Sequence, residues 1–72
     1  MQNIRGDVIW ALRGQGGGLT VVEISMKISG TRGQRYPETK IQNVLDVLAK
    51  AGQVEKSDAT GRVLYRWVAA SH

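Results

Sequence analysis

Arg32 and Arg35 stand close together just ahead of Pro37, and Glu38, Thr39, Lys40, Gln42 and Asn43 follow it. Guanidinium groups grip phosphate oxygens through paired donors, and Gln and Asn amides carry the donor and acceptor that match adenine N6 and N7. Further along, Lys56, Arg62 and Arg66 form a second basic group. Covalent chemistry is poorly provided for. The sequence has no cysteine, which removes disulfides, thiolate nucleophiles and thiolate metal sites together. Its one histidine, His72, lies outside every predicted element, so no serine has a base to activate it. The carboxylates are scattered rather than paired. Enzymatic activity, a bound metal and a cofactor are therefore not expected. Gly14, Gly16, Gly17 and Gly18 suggest a phosphate loop, but no Gly-Lys-Ser/Thr follows and Leu19 occupies the last glycine position of Gly-x-Gly-x-x-Gly. A linker between helices is the better account.

The 72 residues suffice for one domain. A core this small rarely supplies more than about 3–5 kcal/mol, which makes self-association plausible. Ten basic against six acidic residues leave a charge of +4, pointing to polyanions: nucleic acid first, an acidic membrane surface second. No apolar run approaches the roughly 18–20 residues of a membrane span. Arg5 and Asp7 interrupt the first apolar stretch, so it does not read as a signal peptide. A cytoplasmic location is expected.

Apolar periodicity predicts a first helix over 3–13, capped by Asn3, with Ile4, Val8, Ala11 and Leu12 on one stripe. Thr20 and Glu23 form a capping box that opens a second helix over 20–29, which Gly30 should end. Val21, Ile24, Ser25 and Ile28 share its inner face. Pro37 presets a helical φ and should occupy the first position of a third helix over 37–51, buried through Ile41, Val44, Leu45 and Leu48. Asp46 and Lys50 are spaced for an ion pair on its far side, and Gly52 stops it. The period then changes to two. A hairpin over 53–68 turns at Asp58, Ala59, Thr60 and Gly61, its return strand aiming Val63, Tyr65 and Trp67 at the helices as core rather than as a base-stacking platform. The tail 69–72 is expected to fray.

This order, a mainly helical α+β chain of three helices and a two-stranded hairpin, resembles the winged helix-turn-helix domain. Leu19 and Thr20, then Glu23, Ile24 and Ile28 with Ser25 at the small position, resemble the first helix of the motif. Leu45, Leu48, Ala51, Gly52 and Val54 match the recurrent positions of a recognition helix running into its wing, and Tyr65, Arg66 and Trp67 match the end of the wing strand. The resemblance covers residues 4–68. Its spacing is similar to that of penicillinase-repressor-type regulators, in which a longer basic segment precedes the recognition helix.

What the resemblance implies is a small transcriptional regulator that lays its third helix in the major groove of double-stranded DNA. Thr39, Lys40, Gln42 and Asn43 would read base edges, Gln42 foremost. Thr20, Arg32, Arg35, Tyr36, Lys56, Arg62 and Arg66 would hold the backbone. Thr20 serves first as a cap. Lys56 and Arg66 suit solubility of the open hairpin face nearly as well as phosphate contact, and Glu38 is expected to pair with Arg35. Trp10, opposite the buried stripe of its helix, suits packing or a dimer surface equally. A homodimer would supply the second half-site, and the protein would be nucleoid-associated, or nuclear in a eukaryote. The competing reading is a winged helix used for protein interaction or assembly, with Trp10 and the near-neutral third helix as the contact surface.

Overall fold

A computed structural model describes residues 3–14, 17–58 and 61–68. Helices α1 (Ile4–Arg13), α2 (Val21–Arg32) and α3 (Glu38–Lys50) precede strands β1 (Val54–Ser57) and β2 (Leu64–Trp67). The arrangement is mainly helical α+β and compatible with the winged helix layout. The strands pair antiparallel with Val54 opposite Trp67 and Glu55 opposite Arg66. Leu19 extends the sheet on the other side of β2 through reciprocal bonds with Tyr65, Leu19 N donating to Tyr65 O at 2.9 Å and Tyr65 N to Leu19 O at 2.8 Å. Gly18 makes this approach possible. Its φ is +90°, a backbone conformation that a residue with a side chain rarely adopts.

Local signals set the helix starts. Asn3 caps α1, its Oδ1 accepting from Gly6 N at 2.9 Å. At α2 the capping box is complete: Glu23 N donates to Thr20 Oγ1 at 3.2 Å, and Thr20 N donates to Glu23 Oε1 at 2.9 Å. Two orphan amides of the first turn are thereby satisfied. The inner stripes meet in one core of Val8, Ala11, Leu12, Ile24, Ile28, Ile41, Leu45 and Leu48, closed by Leu19, Tyr36, Val54 and Tyr65. Val44 and Trp67 are half-buried at its edge, and Trp67 follows the predicted inward face of the hairpin.

Several boundaries depart from expectation. Gly30 does not end α2, which runs on to Arg32 and stops at Gly33, φ +70° in the left-handed region, whose N–H closes on Ser29 O at 3.1 Å. One interior glycine costs only about 1 kcal/mol; the extra turn carries Arg32 onto an ion pair with Asp7 of α1. The connection to α3 is thereby shortened to residues 33–37. Pro37 is the cap of α3 rather than its first residue, and its carbonyl accepts from the amides of Lys40 and Ile41. Asp46 accepts from Gln42 Nε2 at 3.1 Å, and no ion pair joins it to Lys50. Val63 precedes β2 and is exposed instead of facing the helices. The hairpin turn closes through Gly61 N and Asp58 O at 3.3 Å. The tail 69–72 and the turn residues Ala59 and Thr60 lie outside the described residues.

Candidate nucleic-acid interface

Burying Ile41, Leu45 and Leu48 turns the opposite face of α3 to solvent. At about 100° per residue, Thr39, Lys40, Asn43, Val47 and Lys50 fall on that face, and all are exposed. Three of the predicted base-reading residues, Thr39, Lys40 and Asn43, therefore share an open surface. Gln42 does not join them. It lies at the edge facing the hairpin, where its Nε2 donates to Tyr65 Oη at 2.6 Å as well as to Asp46. Donating to a base would require it to give up at least one of these bonds.

The corner between α2 and α3 is organised around Asp7, the one buried charged side chain among the described residues. Arg32 Nη1 donates to Asp7 Oδ1 at 2.6 Å, and Tyr36 Oη donates to Oδ2 at 2.5 Å. The Tyr36 bond holds the Asp7 carboxyl below its ordinary range, against the opposing effect of burial and with further help from Arg32. The same bond pushes the Tyr36 hydroxyl up. Arg32 also covers Trp10, its Cζ 4.6 Å from the ring centroid, while Lys27 Nζ lies 5.5 Å away and donates to Ala11 O at 3.2 Å. Arg32 and Tyr36, expected as phosphate ligands, are thus committed to tying α1 to the corner. Trp10 is half-buried beneath two cations.

Arg35 is exposed just ahead of α3, and the expected pair with Glu38 is not formed among the described residues. Glu38 lies in the first turn of α3, where the helix dipole favours a carboxylate. On the hairpin, Arg66 Nη2 meets Glu55 Oε1 at 2.6 Å and Arg62 Nη2 meets Glu23 Oε2 at 3.5 Å. Lys56 is exposed and takes part in none of these pairs. Glu23 serves two masters, since its other oxygen closes the capping box. The Thr20 backbone amide is the main reason its carboxyl is held low, with burial opposing and Arg62 assisting. Thr20 is accordingly a cap, its hydroxyl accepting from the Glu23 amide.

On the flank of α3 facing α1, Arg5, Asn43, Val44 and Val47 line a shallow groove of about 240 Å³. In the sequence Arg5 reads only as a charge that interrupts the first apolar stretch, and nothing there links it to α3. Val47 carried a signal in the sequence: an apolar side chain outside the Ile41, Leu45 and Leu48 stripe. Among the described residues no three His, Cys, Asp or Glu side chains gather as metal ligands, and no helix is long and apolar enough to cross a membrane. No protein-family model matches the chain, and no curated protein matches its sequence.

Proposed function

We propose that this protein is a double-stranded DNA-binding module of the winged helix-turn-helix class, a small transcriptional regulator that lays α3 in the major groove. The observation that carries the reading is the open face of α3, where Thr39, Lys40 and Asn43 stand exposed with Arg35 just ahead of them. A helix of this width fits the major groove, about 12 Å across. Arg35, Lys40, Lys56 and Arg5 supply phosphate contacts at once, while Arg62 and Arg66 supply them by exchanging a carboxylate for a phosphate. Thr39 and Asn43 meet base edges. The action is non-enzymatic and needs no cofactor, and location follows the DNA: cytoplasmic and nucleoid-associated, or nuclear in a eukaryote. Two copies on adjacent half-sites would provide tight binding.

The test is fluorescence anisotropy of a labelled random-sequence duplex titrated with the protein from low to near-physiological salt. Log affinity should fall linearly with log salt, with a slope reflecting about 3–6 phosphates. The double variant Arg35→Glu, Lys40→Glu should abolish binding. Absence of binding at low salt would overturn the reading in favour of a protein-interaction module. The outer face of α2 supports that second reading, because Val22 and Met26 are 49% and 68% exposed one turn apart.

A further inference from the structure

Val47 is 56% exposed on the side of the polar face of α3 nearest α1. It makes no part of the core, and an alanine there would have the higher helix propensity. Its neighbours give it a context. Asn43 lies one turn earlier on the same face, half-buried Val44 continues the apolar surface toward α1, and the exposed Arg5 completes the lining with its aliphatic stem. The groove therefore offers a wholly apolar surface, with the exposed side chains of Asn43 and Arg5 at its rim.

We propose that this groove reads thymine through its 5-methyl group, with Val47 and Val44 as the methyl contact, Arg5 on the adjoining phosphate and Asn43 on a neighbouring adenine. This rests on the DNA-binding reading and narrows it to duplexes carrying an A·T pair beneath the second and third turns of α3. The chemistry is particular to that base. In the major groove thymine alone presents a methyl group, and adenine N6 and N7 alone present the donor and acceptor that an Asn amide satisfies together. An aliphatic side chain has nothing to gain against a phosphate or a cytosine amine. Against a methyl it gains the transfer of both surfaces from water.

The experiment begins with selection of bound duplexes from a randomised pool, followed by anisotropy on the selected duplex with each thymine replaced in turn by deoxyuridine, which lacks only the methyl. One replacement should weaken wild-type binding about fourfold, the weight of one buried methyl group. The same replacement should leave the affinity of Val47→Ala unchanged, while Asn43→Ala loses the preference for the neighbouring adenine. Val47 is exposed, so its truncation leaves the core intact, and the deoxyuridine comparison on wild-type protein needs no variant. If no thymine methyl affects affinity, or if Val47→Ala feels its loss as strongly as wild type, the thymine assignment is wrong and DNA binding stands. If no duplex is retained from the pool at low salt, both readings fall together.

Discussion

Arg32 at the corner between α2 and α3 and Arg66 on the hairpin each hold a carboxylate at 2.6 Å, yet the Asp7 side chain is only 11% exposed and that of Glu55 is 59% exposed. Equal distances conceal unequal roles. Asp7 has a second donor in Tyr36, and its loss would leave partly buried polar groups without a partner. Glu55 loses little to water, because an exposed pair is worth about 0–1 kcal/mol once side-chain entropy and screening are counted. The difference bears on function as well as stability. A carboxylate standing in water can be traded for a phosphate; one enclosed at a helix junction cannot.

The contrast would break most visibly at Asp7. Asp7→Ala should lower unfolding free energy by about 2–4 kcal/mol in urea denaturation, the usual cost of stripping a half-buried network of its acceptor. A loss as small as that of an exposed pair would mean that the corner is no more than a surface contact. Acid should expose the same asymmetry. The folded-state pKa of Asp7 lies below its ordinary value of 3.8, so its contribution is complete above that value and disappears as pH falls through the lower, folded one. Asp7→Asn should flatten the acid limb of the stability profile.

An intermediate effect is expected at the start of α2, where Thr20 is half-buried. Thr20→Ala should cost about 1 kcal/mol, the ordinary weight of a cap, and Thr20→Ser should recover most of it in the same measurement. The smallest change should come from Glu55→Gln, with stability moving by under about 0.5 kcal/mol. Release of Arg66 should meanwhile tighten duplex binding by about twofold in anisotropy titrations. Weaker binding after this substitution would show that Glu55 positions Arg66 instead of competing with phosphate for it.

Much of the architecture was legible where the deciding interactions are local. Thr20 and Glu23 satisfy each other within one turn, and Ile41, Leu45 and Leu48 announce their shared face by spacing alone. Legibility failed where a distant partner decides. Gly30 and Gly33 are both plausible terminators of α2, and the choice falls to the later one in a structure where Arg32 reaches Asp7 on another helix. Gln42 and Tyr36 had the right chemistry for DNA, but Tyr65 and Asp7 claim them from positions far away in the chain. Arg35, Lys40, Thr39 and Asn43 kept their predicted exposure because no other element comes back across them. Polar residues near a turn are thus easy to nominate from sequence, whereas their availability depends on tertiary neighbours.

The Leu19–Tyr65 bridge has a mechanical side. Tyr65 joins the segment before α2 through its backbone, meets Gln42 of α3 through its hydroxyl, and buries its ring in the core. The root of the hairpin is consequently clamped from three directions, and a tilt of β2 must carry the start of α2 and one edge of α3 with it. That root is a fixed joint rather than a hinge. On the DNA-binding reading proposed above, little ordering entropy would remain to be lost at that root on binding, and a groove of another width would be the partner that deforms.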